Sequence, residues 1–181
     1  MWRQGKYLKS HCFAFLPEHT FEHGTTKAQR AQYVRLINEG SLRLVSGTAI
    51  DQEDVYKFVD EYLHENNLIP IGFVGDAFMS KAYQRKIRED YGEGMYTSVR
   101  QTPMLLSHPL KTIKARIAGG EYQSEDDLLL WSLNNLRVRV DANNNIFPNK
   151  DKAVDKIDPV LAIIQSYYLW ELQDENVGLA W

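Results

Sequence analysis

A chain of 181 residues fits one ordinary domain. At that size about 70% of the unfolded surface is buried on folding, enough for a core without disulfides or metals. Hydrophobic residues at 44% and charged residues at 25% exclude a disordered chain, and no apolar run approaches the ~20 residues that span a bilayer. Met1 to Ser10 is polar and basic, without the apolar centre of a secretory signal. The single cysteine, Cys12, excludes an intramolecular disulfide framework and a zinc ribbon and points to a reducing compartment. The net charge of −3 argues against a general affinity for nucleic acid, but it hides a segregation. Over residues 81–116, Lys81, Arg85, Lys86, Arg88, Arg100, Lys111, Lys114 and Arg116 outnumber Glu89, Asp90 and Glu93; over residues 51–65, six carboxylates stand against Lys57 alone.

In chain order, Lys6 to Leu16 interleaves aromatic and polar residues and predicts a strand. Pro17 to Thr26 reads as a loop, Lys27 to Glu39 as a helix stopped by Gly40, and Ser41 to Val45 as a short strand. Asp51 to Asn66 carries Val55, Phe58, Val59, Tyr62 and Leu63 at helical spacing behind an Asp51 cap. Leu68 to Gly75 is apolar without alternation, the pattern of a strand buried on both faces, and it ends on Asp76. Ala77 to Tyr91 predicts a basic amphipathic helix, Met95 to Val99 a strand, and Ser107 to Ala118 a second basic helix capped by Ser107. Ser124 to Leu133 reads as a helix capped by Ser124, Leu136 to Val140 as an alternating strand, Asp141 to Asn145 as a turn, and Ala153 to Leu172 as the last helix. Alternation of this kind predicts a single α/β domain over residues 1–181 with a central sheet.

Two carboxylates stand out by position. Asp76 closes a strand, where open α/β sheets place their functional groups; it could equally cap the next helix. Asp158 opens the last helix, on a narrow stripe with Ala162 and Gln165 between two apolar faces. A carboxylate there needs a hydrogen bond or a cation, or else it caps the helix ahead of Pro159. Two such acids are hard oxygen ligands that suit Mg²⁺ or Mn²⁺ rather than zinc. Lys150, Lys152 and Lys156 just before Asp158, with Lys111 and Lys114, are candidates to hold a phosphate backbone. His19 and His23 stand four apart in a stretch read as loop and lack the partners of a zinc-protease helix. The sequence holds no P-loop, no GxSxG and no dinucleotide fingerprint.

The segment from Trp131 to Asp158 is similar to the end of the nuclease domain of tailed-phage terminase large subunits. Trp131 and Asn135 precede a strand, Asp141 and Asn143 form the turn, Pro148, Lys150 and Lys152 give P-x-K-x-K, and Lys156-Ile157-Asp158 opens an apolar helix. Leu16-Pro17-Glu18, the L-x-x-x-x-G-x-x-I-D stretch of Leu42 to Asp51, Phe73 to Asp76, and Leu106 to Lys111 follow the family's order upstream. The resemblance runs from about residue 6 to residue 172. It implies an RNase H-like mixed central sheet flanked by helices, and a metal-dependent endonuclease that cuts concatemeric DNA during viral genome packaging. It further implies Mg²⁺ or Mn²⁺ as cofactor and double-stranded DNA as substrate. The partners implied are an ATPase domain, a small terminase subunit and a portal protein, in a host cytoplasm. Asp76 and Asp158 match the second and third of the family's three acids. The first belongs to a strand ahead of Lys6, where this sequence has only Met1 to Gly5; Pro159 stands where the family has glycine, and Gly75-Asp76-Ala77 lacks the usual aromatic and arginine neighbours. The expectation is therefore a partial nuclease domain, with a non-catalytic DNA-binding or docking module as the alternative and an unrelated α/β binding domain as the third reading.

Overall fold

The computed structural model describes residues 1–76 and 81–178. Strands β1 (Trp2–Gln4) and β2 (Tyr7–Lys9) form an antiparallel pair turned at Gly5, whose φ of 60° suits a residue without Cβ. β3 (Ala14–Pro17) lies parallel to β4 (Leu42–Val45), with α1 (Glu18–His23) and α2 (Lys27–Asn38) between them in sequence. A Thr26–Gln29 capping box starts α2. The Asp51 carboxylate caps α3 (Gln52–Glu65). β5 (Phe73–Asp76) is parallel to β6 (Tyr96–Val99), and α4 (Lys81–Tyr91) with a 3-10 turn (Glu93–Met95) lies between. There follow α5 (Pro103–Ala118), β7 (Tyr122–Gln123), α6 (Asp127–Asn135), the antiparallel hairpin β8 (Val138–Val140) and β9 (Ile146–Pro148), a 3-10 turn (Lys150–Lys152) and α7 (Asp158–Gly178).

The ladders are short and mixed. β1, β2 and β7 form a three-stranded group, β2 running parallel to β7; the other strands pair in twos. Among the described residues β5 has one hydrogen-bonded neighbour, β6, and its other edge takes no strand. The main core gathers Leu36, Val99, Leu106, Leu128, Leu129 and Ile164, all at most 2% exposed, from α2, β6, α5, α6 and α7. A second cluster, Tyr56, Phe73, Ile87 and Tyr96, joins α3 and α4 to the β5–β6 pair.

The second layer brings part of the acidic block against part of the basic one. Acidic α3 packs on basic α4. Arg85 lies 3.9 Å from Glu53 and 3.7 Å from Glu89, Lys86 3.6 Å from Glu89, and Arg88 3.7 Å from Glu93. These exposed pairs contribute about 0–1 kcal/mol each. More specific are two reciprocal bonds: Tyr56 Oη donates to Asp90 (2.5 Å) and Tyr91 Oη to Asp60 (2.5 Å).

Burial, then the bond to Asp60, pushes the Tyr91 phenol up to about 12; burial, then the Asp155 and Asp158 charges, pushes Tyr33 to about 12. Burial likewise raises Tyr56, Tyr83 and Tyr122. Unfolded tyrosine loses its proton near 10, so from pH 10 to 12 the native state binds more protons than the unfolded state. Stability from these groups is complete below pH 10 and is lost as pH rises through 12. Denaturant unfolding across that window is expected to show the fall, with tyrosinate absorbance lagging until the chain opens. Tyrosinate appearing in the folded protein as in free tyrosine would contradict it.

Several expectations need correction. The strand over Lys6 to Leu16 is two strands, β2 and β3, separated by residues outside any ladder; Phe13 there turns its ring to Phe58 of α3 at 4.9 Å. The loop after Pro17 contains α1, which places the His19 and His23 rings 4.9 Å apart. The apolar run before Asp76 is not buried on both faces: Ile69 is 91% and Ile71 56% exposed, because extended pairing begins only at Phe73, beyond Pro70. Thr102 caps α5, with Pro103 in its first turn; Ser107 is inside the helix, buried, and its Oγ accepts from Ile146 N at 3.0 Å. Asp126, not Ser124, caps α6. All three residues of β8 are exposed, because it pairs with β9 alone. The last helix begins at Asp158 rather than Ala153, since Pro159 has no N–H to bond back and extend the helix towards Asp155. The helix expected from Ala77 is α4 from Lys81; residues 77–80 lie outside the described residues.

Candidate functional site

Two contacts fix how α7 crosses the β5–β6 pair. Gly72, just before β5, lies against Leu169: a Cβ there would sit 3.2 Å from Leu169 Cδ2 and 3.7 Å from the Met95 carbonyl oxygen. At the other end Gln101, two residues past β6, shares a cavity of about 150 Å³ with Leu161, Lys150 and Asn149. The strands are parallel with Asp76 opposite Val99. Leu169 therefore marks the start of the pair and Leu161 its end, so α7 runs opposite to the strands. Asp158, less than a turn before Leu161, lies at the end of the molecule where β5 finishes on Asp76. The Asp76 residue is half-buried and Asp158 exposed.

The start of α7 is held from three sides. Ser132 Oγ of α6, fully buried, accepts from Val160 N at 3.3 Å. Asp155 accepts from Gln29 Nε2 of α2 at 3.0 Å and from Lys156 N at 2.8 Å. Ile157 is buried while Asp158 turns outward to Lys150 Nζ at 3.7 Å. Tyr33 of α2 feels the charges of both Asp155 and Asp158. The two apolar faces read from the sequence are buried or half-buried as expected, and on the stripe between them Asp158 and Ala162 are exposed. Gln165 departs from that stripe by being buried, its Nε2 without a hydrogen-bond partner.

The lysines divide. Lys150, Lys152 and Lys156 are exposed around the approach to Asp158. Lys111 Nζ instead donates to Asn144 O at 2.9 Å, tying α5 to the hairpin turn. That turn is built on Asp141, whose carboxylate accepts from Asn143 N and Asn145 N at 2.9 Å each and from Asn145 Nδ2; these bonds hold its carboxyl below the usual carboxylate range. Lys114 lines an apolar groove of about 330 Å³ between α5, α7 and the hairpin.

Sequence reasoning missed Ser132, Asp155 and Gln29 as the supports of the Asp158 end. The signal for Asp155 was its place one turn ahead of Asp158; nothing in the sequence reveals that α2 reaches it. Among the described residues no group of three or more His, Cys, Asp or Glu side chains is arranged to hold a metal ion. The two carboxylates nevertheless have the hard oxygen chemistry that Mg²⁺ and Mn²⁺ require.

The model of the terminase large subunit endonuclease domain matches residues 3–175. The crystal structure of the HK97 bacteriophage large terminase is similar with a TM-score of 0.74 and 22% identity, over 86% of this chain and 32% of that one. The large terminase nuclease from thermophilic phage G20c gives 0.49 and 15%, over 67% of this chain and 63% of that one. The chain thus spans about a third of the HK97 protein, and no curated protein matches it. The likeness to the HK97 structure makes the fold RNase H-like, a mixed α/β arrangement. With the family model covering almost its whole length, the chain belongs to the endonuclease-domain family of terminase large subunits.

Proposed function

We propose that this chain is the metal-dependent DNA-cutting domain of a phage packaging machine, and that Asp76 and Asp158 hold a Mg²⁺ or Mn²⁺ ion. The observation that carries the reading is the opposed run of α7 and β5, which brings the two acids of distant segments to one end of the molecule. A divalent ion bound there supplies Lewis acidity toward a phosphodiester and lowers the pKa of water. The chain's own residues do the rest. Ser132 and Asp155 fix the start of α7 and thereby the Asp158 carboxylate. Lys150, Lys152 and Lys156 draw the phosphate backbone toward that end, and Lys111 and Lys114 extend the basic track along α5. Double-stranded DNA is the substrate, concatemers the natural form of it. An ATPase domain, a small terminase subunit and a portal protein are the partners, and the host cytoplasm the setting. No helix of the described residues is long and apolar enough to cross a membrane.

DNA binding is expected to be weak, independent of sequence and steeply salt-dependent. Each lysine that meets a phosphate adds roughly 0.9 to the slope of log affinity against log salt. Replacing Lys150, Lys152 and Lys156 by glutamate is expected to lower both affinity and slope in a titration with duplex DNA, and reversal at Lys114 to do so less. An unchanged slope in the triple variant would remove these lysines from the interface. A second reading, a DNA-binding or docking module without catalysis of its own, is favoured because no three metal-ligating side chains converge among the described residues. Mn²⁺ titration separates the two, since a module of that kind binds DNA normally when Asp158→Asn has no effect on Mn²⁺ uptake.

A further inference from the structure

We infer that Tyr96 is a positioning residue for the Asp76 carboxylate, acting through Gly75. The inference rests on the reading of Asp76 as a cation ligand, and it follows from how tightly β6 meets β5. Phe73 and Tyr96 are paired across the parallel ladder, and alternation puts Gly75 on the same face as Phe73. That face carries the second core, in which Phe73 and Tyr96 are both buried. Asp76 points to the opposite face, shared with Val74, which packs on the main core.

The Tyr96 ring leans along the ladder and covers Gly75. A Cβ added at Gly75 would overlap the Tyr96 hydroxyl, while the next ring atoms, Cζ and Cε2, stand at 3.4 and 3.8 Å. Gly75 has no positive φ, unlike Gly5, Gly40, Gly47, Gly92 and Gly120. Its lack of a side chain therefore serves close approach, not backbone conformation. Tyr96 is itself braced. Its ring meets Tyr83 of α4 at 6.4 Å edge-on, and Tyr83 meets Tyr56 of α3 at 6.2 Å, whose hydroxyl is bound to Asp90. The column passes the position of the α3–α4 layer through one phenol to the backbone immediately before Asp76. Among the described residues β6 is the strand that pairs with β5 up to Asp76.

The test uses the whole 181-residue chain with carbon-13 in its aspartate carboxyls, read by nuclear magnetic resonance. Gly75→Ala is expected to displace the Asp76 carboxyl resonance and to weaken Mn²⁺ binding about tenfold or more, as loss of an orienting contact behind a metal ligand does. Tyr96→Phe added to Gly75→Ala is expected to return both to the values of Tyr96→Phe alone, because without the hydroxyl the nearest ring atom is at ordinary contact distance. An Asp76 resonance unmoved by Gly75→Ala, or a displacement that Tyr96→Phe leaves in place, overturns the inference. Broadening of the Asp76 resonance by Mn²⁺ in the parent chain reads the cation site separately. Broadening without any effect of Gly75→Ala keeps the metal reading and removes the positioning role; a rescued displacement without broadening does the reverse. If Gly75→Ala does not fold, Tyr96→Leu interrogates the same contact, and an unmoved Asp76 resonance in that variant overturns the inference.

Discussion

Extending the chain upstream with a strand that carries an aspartate is expected to raise its cleavage of supercoiled plasmid in Mg²⁺ by at least about 100-fold, and Asp76→Asn or Asp158→Asn to abolish the gain. The estimate follows from ligand count. Changes behind a metal ligand already cost 10–100-fold in affinity or activity, and a missing ligand costs more. Mg²⁺ demands near-ideal octahedral geometry and gives up its waters reluctantly, so a third acid is expected to act by fixing the ion's position against the phosphate, which a pair of carboxylates leaves free to shift. Mn²⁺ is expected to support more residual cutting than Mg²⁺ in residues 1–181. Among the described residues β5 is paired to a strand on one side only, which makes its other edge the place for such a strand. A strand laid along that edge would end beside Asp76. Robust Mg²⁺-dependent cleavage by residues 1–181 alone, lost in Asp76→Asn, would place a third ligand within this chain instead.

What the sequence revealed of the site, and what it hid, separates by range of interaction. As the end of β5 and the start of α7, Asp76 and Asp158 were legible because each sits at a boundary set locally. Pro159 favours the first turn of a helix, and the apolar run Phe73-Val74-Gly75 marks a strand that closes on Asp76. Asp51 and Thr102 illustrate the difference: Asp51 precedes a strongly periodic helix and was found, whereas Thr102 was hidden by the better-looking Ser107 four residues into α5. Ser107 is drawn inside because Ile146 N, which the hairpin brings to it, needs an acceptor there. β7 and β9 are two- and three-residue ladders, too short for any periodicity to mark them. The direction of α7 across β5 is a tertiary fact, set by Leu169 on Gly72 and Leu161 near Gln101, and no spacing encodes it. The basic and acidic blocks were visible as blocks; that the Arg85–Glu53 pair and two tyrosine–aspartate bonds join α3 to α4 was not.

Asp126→Ala is expected to be among the most destabilising single changes outside the main core, at about 2–4 kcal/mol, and to loosen the Asp158 end with it. One Asp126 oxygen accepts from Leu129 N at 3.1 Å and caps α6, worth about 1 kcal/mol. The other accepts from the backbone N of Cys12, a residue 8% exposed. Alanine would leave that buried N–H unpaired at a cost of about 1–3 kcal/mol. For a chain of this length each kcal/mol lowers the melting temperature by roughly 2–4 °C, so a fall of about 5–15 °C is expected by calorimetry. Asp126→Asn keeps a carbonyl oxygen for one of the two donors and is expected to lose less. The consequence reaches the site because α6 carries Ser132, the acceptor for Val160 N at the start of α7. Loosening the first turn of α6 therefore loosens the turn that aims Asp158. Mn²⁺ binding in Asp126→Ala is expected to weaken more steeply with temperature than in Asp126→Asn, well below the melting point of either. Equal temperature dependence in the two variants would show that α6 stabilises the fold without orienting Asp158.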